Sequence, residues 1–535
     1  MDPLSRRRFL TAGAVVAGTA ITSAVLGGCG NPAALPESAK EVVPGAGGAP
    51  GRGGILYFGL STDPANFDPH VSTGAASDYL RQLSYNSLLQ FDSDGEIIGD
   101  LAEEYGFSDP QTYVVRLRPD VQFHDGSPLT ADDVVFSIKR MQDEATSASS
   151  APLLAGITEV VARDPRTVEM RLDEPDVALP FALALPPTLI VSRRWIESGA
   201  NPKTAVMGTG PFRFVERIPG VATTYERFDS YFEPDLPYLN GIVFQPMGDD
   251  YARVTALRAA TVDMIDYVPA THVDVVTRNP QLQFASDKNF GFGYVGFDLA
   301  QKPFDDVRVR RAVAMSIDRD AVLDTAFLSH GAAIDGSLMT PDFAPYATQF
   351  AGSMPYDPDQ ARSLLKQAGA EGLRFPMVTT SSYSVIFRPA QAMLPSLRST
   401  GLDVDLVQQE WLTFRQSVTD KNFPVHAWGT APKFGDPASL SDILGSTGVL
   451  AKNFSFSDPE TDRLLREGRT AQDPGLRMEI YADLERRALE LVPLTYTVRR
   501  EQGEAFHTYV KGYAHPPKGA WNGTALRRTW LERTQ

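Results

Sequence analysis

The chain has 535 residues, 43% of them hydrophobic, enough to bury large cores in two to four domains. Its 66 acidic residues outnumber 50 basic ones for a net charge of −16. That balance argues against a nucleic-acid partner, whose capture needs clustered positive charge, and for a soluble surface that suits cationic ligands. A single cysteine allows no internal disulfide.

The N-terminus reads Ser5-Arg6-Arg7-Arg8-Phe9-Leu10, then an Ala-, Val- and Gly-rich run from Thr11 to Leu26, then Leu26-Gly27-Gly28-Cys29. Twin arginines ahead of a short apolar run match a Tat export signal, and the ending resembles a lipobox with Gly27 where Ala or Ser is commoner. Residues 1–28 are therefore expected to be a signal peptide and Cys29 the lipidated first residue. The run is too short and glycine-rich to serve well as a membrane span. Residues 29–53, rich in Pro, Ala and Gly, read as a flexible tether. Coil of that length holds a folded body roughly 25 Å from its anchor.

Ile55 to Leu60 has strand character, Ser61-Thr62-Asp63-Pro64 and Asn66-Phe67-Asp68-Pro69 are turns, and Tyr79 to Leu89 is expected to be helical. From Tyr113 the sequence alternates Val114, Arg116 and Arg118 against Val115, Leu117 and Pro119, the period of a half-buried strand. His124-Asp125-Gly126-Ser127-Pro128 makes a turn, and Thr130 with Asp133 three residues on predicts a helix cap. Val134, Val135, Ile138 and Met141 then recur at helical spacing, leaving Asp132, Lys139 and Arg140 on the outer side.

The wording of that stretch, Leu117-Arg118 followed by Phe123-His124-Asp125-Gly126 and Thr130-Ala131-Asp132-Asp133-Val134-Val135-Phe136-Ser137, resembles the signature of the family-5 extracellular solute-binding proteins, the peptide and nickel receptors of ABC importers. Met207-Gly208-Thr209-Gly210-Pro211-Phe212 resembles the family's return to its first domain, and a helix from Asp250 to Ala260 leads into Val262-Asp263-Met264. There Ala260-Thr261 stand where relatives carry Gly, so the helix stop lacks its usual residue. Gly291-Phe292-Gly293-Tyr294-Val295-Gly296 matches GxGxxG, but an aromatic alternating run surrounds it where a dinucleotide site needs a helix start. It reads as strand, with Tyr294 near the ligand cleft of the family. Asp305 to Arg319 and Tyr356 to Gly369 resemble two more family helices, with Asp305 and Asp357 as expected caps and arginines on the polar side. Ser363 and Lys366 make an SxxK without the Lys-Thr-Gly box that penicillin-binding chemistry needs.

Candidate ligand contacts fall in two segments. Ala427-Trp428-Gly429-Thr430 and Gly435-Asp436-Pro437 resemble the segment in which the family's tryptophan lines the cleft and its aspartate receives a peptide amino terminus. Asp436 is then either an ammonium acceptor or a turn residue, and Trp428 either cleft or core. The interval between them is longer than in the family, and Lys433 stands within it. Arg388-Pro389 is expected at a helix start, where the dipole and a guanidinium both favour an anion. A peptide carboxylate could dock there. Trp411 resembles another aromatic near the cleft. Seven scattered histidines show no metal-ligand spacing, and neither a cofactor motif nor a nucleophile elbow is found.

The resemblance spans nearly everything after Gly54. It implies an α/β, two-lobed periplasmic-binding-protein-like (class II) fold with an additional domain on the N-terminal lobe. Residues 54–72, 205–285 and 505–535 would form the N-terminal lobe, 73–204 the satellite domain and 286–504 the C-terminal lobe, with crossings near 286 and 504 as a hinge. It implies a monomeric, non-enzymatic receptor without cofactor, delivering peptides to an ABC permease. Sugars or nickel chelates are alternative cargoes, and a lipoprotein hydrolase or a receptor for a membrane sensor are the alternatives from other classes.

Overall fold

The computed structural model describes residues 35, 37–43, 49–71, 74–148, 150–336, 349–431, 435–515 and 523–532. Cys29, the arginines ahead of it and Lys433 lie outside them.

An 11-stranded sheet runs through the molecule. Its strands are β1 (Ile55–Leu60), β2 (Phe212–Ile218), β3 (Ala222–Arg227), β4 (Gly241–Pro246), β5 (Met264–Ile265), β6 (Leu282–Phe297), β7 (Gly331–Ala333), β8 (Arg374–Thr380), β9 (Asp403–Gln409), β10 (Val425–Thr430) and β11 (Leu494–His507). Their spatial order is β2-β3-β4-β1-β5-β11-β6-β10-β8-β9, with β7 also paired to β11. β1 lies parallel to both β4 and β5, and Ile55, Leu56, Phe58 and Leu60 are all buried, as expected of a strand covered on both faces.

β6 and β11 are unusually long, 16 and 14 residues. At about 3.4 Å per residue each runs roughly 50 Å, and together they join two halves of the sheet. β5 attaches only at Ala505 and Phe506 of β11, whereas β10 attaches only from Phe292 to Phe297 of β6. Between those attachments the β6–β11 ladder jumps from Asp287 opposite Gln502 to Gly291 opposite Arg500, and shifts again between Phe292 and Tyr294. Such bulges bend the strand that carries the extra residues.

A separate four-stranded sheet (Ala102–Asp109, Thr112–Leu117, Thr167–Leu172 and Ile157–Asp164) carries the signature strand. Its Tyr113, Val115 and Leu117 point into a core shared with Val134, Ile138 and Met141 of the helix Ala131–Gln142. Each aliphatic side chain so buried contributes roughly 1.5–3 kcal/mol. The helix begins where the sequence indicates: Thr130 N and its hydroxyl both donate to Asp133 Oδ2, at 3.0 and 2.9 Å. Arg140 does not look outward, because it grips buried Asp68 with both guanidinium nitrogens. The Gly-Thr-Gly motif is a close backbone contact. A Cβ on Gly208 would stand 1.9 Å from Ser84 O, and one on Gly210 2.5 Å from Leu83 O.

Several boundaries differ from expectation. The first helix covers Ala75–Ser84 rather than running on to Leu89, because the chain turns extended at Tyr85. The helix Val307–Met315 is capped by Asp306, not Asp305, and Arg310 is buried beneath it, donating to the carbonyls of Val492, Phe304 and Leu491. Ala260 takes the left-handed conformation (φ 54°) that a glycine takes more cheaply, so the turn survives without one. The GxGxxG run lies wholly within β6.

Candidate functional site

The two halves of the sheet meet at the bulged part of β6 and β11, and the gap expected between two lobes falls there. On one side Asp249 caps the helix Asp250–Arg258, and buried Arg253 organises the wall behind it. Arg253 Nη2 donates to Asp250 Oδ1 at 2.8 Å and to Tyr267 O at 2.9 Å, and its Nη1 donates to Met247 O at 2.7 Å. Asp266 accepts from the backbone and hydroxyl of Ser61, while burial pushes its carboxyl up to about 6. Those clamps hold Tyr267 with a positive φ of 45°, a conformation that costs energy in a residue of this size.

The facing wall comes from β10 and the helices Ser384–Ala392 and Trp411–Thr419. Tyr383, Trp411 and Trp428 form an edge-to-face row, with centroids 5.0 Å apart for the first pair and 5.6 Å for the second. Phe414 backs Trp428 at 5.0 Å, and Arg415 sits over Trp411. Trp428 and Trp411 are half-buried, so faces remain for a ligand beyond their mutual packing. Gly429 follows on β10, paired with Gly293.

Arg388 is not at a helix start. It lies in the interior of Ser384–Ala392, with Pro389 tolerated there and the helix broken at Met393, one residue before Leu394–Ser399. The proline signal was real but marks a late turn. Arg388 is half-buried and one turn beyond Ser384, hence on the same helical face. Ser384 Oγ donates across the gap to Asp250 Oδ2 at 2.9 Å. His272, on the same far wall, has its pKa lowered by burial and by Arg258 and Arg388, and raised in part by Asp250.

Asp436 is fully engaged. Arg477 grips it with both terminal nitrogens, Nη2 to Oδ1 at 2.9 Å and Nη1 to Oδ2 at 3.1 Å, and Ala438 N donates to Oδ1 at 2.9 Å. An incoming ammonium would compete with a guanidinium for the same oxygens. Neighbouring Arg469 pairs with Asp176 of the four-stranded-sheet domain, and Val177 N donates to Arg469 O at 3.0 Å. This second contact joins the four-stranded-sheet domain to the helix Pro459–Thr470.

Tyr294 is 1% exposed and packs edge-on against His426 and Phe454, beside Trp428, its register partner. Burial takes the His426 ring down to about 3, so it is neutral, and it stacks on Phe454. No group of three metal-ligating side chains occurs among the described residues.

Sequence reasoning missed Arg500. It lies on β11, 7% exposed, with Nε donating to Gln502 Oε1 at 3.3 Å and the guanidinium hydrogen-bonded to the Tyr267 phenol from the opposite half. It occupies the space over Gly291, where a Cβ would stand 2.3 Å from its Nη1. The available signal was an Arg499-Arg500 pair in the middle of a long strand, directly after the alternating run Leu494 to Val498.

A two-half α/β sheet with a satellite domain and an aromatic gap at the crossing is the architecture of a periplasmic binding protein. The profile of "Bacterial extracellular solute-binding proteins, family 5 Middle" matches residues 96–450, and the chain belongs to that family of non-enzymatic substrate-binding proteins, which serve ABC importers. It is 28% identical over 475 residues to di/tripeptide-binding protein 1 of Pseudomonas aeruginosa, covering 82% of this chain and 88% of the relative. It is 27% identical to the glutathione-binding protein GsiB of Pectobacterium atrosepticum, covering 78% and 83%. Among solved structures, the binding protein AgaA in complex with agropinic acid, from A. tumefaciens R10, superposes with a TM-score of 0.85 at 31% identity, covering 90% of this chain and 99% of AgaA. DppA of Helicobacter pylori with the peptide STSA gives 0.81 at 21%, covering 90% and 99%. No helix among the described residues is long and apolar enough to cross a membrane.

Proposed function

We propose that the chain is a lipid-anchored receptor that captures short peptides between its two lobes and presents the closed form to an ABC permease. The observation that carries this reading is the half-buried aromatic row Tyr383, Trp411 and Trp428 on one side of the crossing, joined to the other half by Ser384–Asp250 and to the four-stranded-sheet domain by Arg469–Asp176. A ligand that touches both walls favours closure, because only differential contact shifts such an equilibrium. The lobes follow the division 54–72, 205–285 and 505–535 against 286–504, hinged near Ser286 and Glu504, with 73–204 as satellite. Trp428, Gly429, Trp411 and Arg388 are ligand contacts in this reading, Tyr294 is buried beside Trp428, and Asp436 holds its loop through Arg477. Cys29 carries the lipid.

Peptide cargo is supported by the names of the di/tripeptide- and glutathione-binding relatives. A second reading, a non-peptide acid, is favoured by the 31% identity to AgaA, above the 21% to DppA. Native mass spectrometry of protein purified from its own host, with denaturing release of the ligand, separates them. A mixture of short peptides is expected. A single non-peptide compound overturns the peptide assignment, and a protein that neither carries nor closes on any solute overturns the receptor role. Cys29→Ser is expected to move the protein from the membrane fraction to the soluble one.

A further inference from the structure

We infer that the body is mounted on the membrane by a short foot: the segment from Leu35 to Val43 is docked on the base of the lobe that carries β1, which makes that base the membrane-facing surface. The inference rests on the lipid anchor at Cys29 proposed above and adds how the body is held by it.

The residues between the anchor and β1 have the composition of free coil, yet the described ones are packed. Leu35 is 8% exposed and shares a small core with Ile55, Ala222 and Val243. Val42 is 5% exposed and lies in one core with Leu56 and Leu531. Backbone pairing completes the seam. Val42–Val43 runs antiparallel to Arg52–Gly53, Gly54 N donates to Glu41 O at 2.8 Å, and Asn240 Nδ2 donates to Ala39 O at 3.0 Å. The lobe is also cut to receive the segment. A Cβ on Gly241 would stand 2.4 Å from Leu35 Cδ1, and one on Gly53, whose φ is 103°, 2.1 Å from Glu41 O. A loosely held coil would not need such clearance.

Position then fixes which end of the lobe is held. Gly241 stands opposite Ile55 at the start of β4 and β1, whereas at their far end Met247 N donates to Leu60 O and Ser61 meets Asp266, in the wall organised by Arg253. The segment therefore grips the end away from that wall, one length of the six-residue β1, or roughly 20 Å, from it. Six peptide steps separate Cys29 from Leu35, so the base stays within about 22 Å of the lipidated residue. Free coil over all of residues 29–53 would allow roughly 85 Å at full extension. A permease would thus meet a body that pivots about its base, not one that roams at the end of a long chain.

The test uses the full lipidated chain, purified from its own host and reconstituted into phosphatidylcholine vesicles that carry an energy-transfer acceptor on some headgroups. Cys29 is the single cysteine and its thiol is acylated, so one added cysteine takes the donor dye alone. Asp229→Cys reports from the base, two residues beyond Arg227, whose N donates to Asn240 O. Asp405→Cys reports from β9, six strands across the sheet from β1 and so roughly 29 Å away. Transfer is expected to be about 3-fold stronger from the base, given that separation, and an insertion of about 20 Gly and Ser residues between Asn31 and Pro32 should remove most of the difference. Trypsin gives a second readout, because Lys40 and Arg52 lie in the segment and a docked backbone is cut only when it opens. Leu35→Asp, which places a carboxylate in the small core, should release the body from the vesicles about 10-fold faster than the wild type. Equal transfer from the two positions, or wild-type release as fast as that of Leu35→Asp, overturns the inference and leaves the anchor standing. A wild-type protein that stays off the vesicles as Cys29→Ser does overturns the anchor and this inference together.

Discussion

Asp436→Asn separates a structural carboxylate from a ligand-binding one. Asparagine keeps an oxygen that can accept from Ala438 N, so the short helix that follows keeps its cap, and the change falls on the Arg477 pair alone. The two side chains are 10% and 15% exposed, which places the pair close to the buried limit. Removing one partner of a buried pair costs about 3–5 kcal/mol because the other charge is stranded, and partial exposure puts this case near 3 kcal/mol. For a cooperative unit of about 200 residues that is a drop of roughly 6–12 °C in melting temperature. Adding Arg477→Met should recover most of the loss, since two neutral partners strand no charge. The assay is thermal unfolding of the wild type and the two variants beside ligand titration, and affinity should follow stability only weakly. An Asp436→Asn protein that melts with the wild type but no longer binds would refute the reasoning and return Asp436 to the ligand.

Asp176→Asn breaks the contact with Arg469 that joins the satellite domain to the opposite wall. It should raise the ligand off-rate about 10-fold in stopped-flow measurement and, because the two side chains are only 13% and 26% exposed, also cost about 2 kcal/mol of stability. Gly291→Ala sets a Cβ against the buried Arg500 guanidinium; the protein should fold but lose about 1–3 kcal/mol, read as a lower melting temperature. The hydrogen bonds and charge of Arg487 lower the carboxyl of Asp458 to about 2, in spite of burial. Because that folded-state value lies below the unfolded one, its contribution is present above about pH 4 and lost as pH falls toward 2. Acid unfolding of Asp458→Asn should therefore be flatter than that of the wild type across this window.

The features legible in the sequence were those whose cause is local. The Thr130–Asp133 cap, the alternation from Tyr113 to Leu117 and the strand reading of Gly291 to Gly296 each depend on residues a few positions apart. Trp411 and Trp428 were legible through resemblance, and the structure brings them edge to face. The remaining features are set by partners far along the chain. Arg310 looks like a solvated helix residue until Val492, 182 positions away, supplies a carbonyl beneath it. Arg388 was misplaced because a proline in a late helical turn and one in a first turn look alike in sequence. Asp436 finds its guanidinium 41 residues downstream, and Arg500 its phenol in the other half of the sheet.

The bulge in β6 also bears on how such a molecule can move without coming apart. Between Asp287 and Gly291 three residues of β6 stand opposite a single residue of β11, so the ladder there holds spare contour length. A rigid ladder would have to break hydrogen bonds to bend. A strand with slack can change its angle by redistributing backbone torsions over those residues, while the pairs from Leu282 to Asp287 and from Tyr294 to Gly296 stay made. Opening would then cost mainly the contacts across the gap, and the energy scale of the movement would be set by the solute rather than by the sheet.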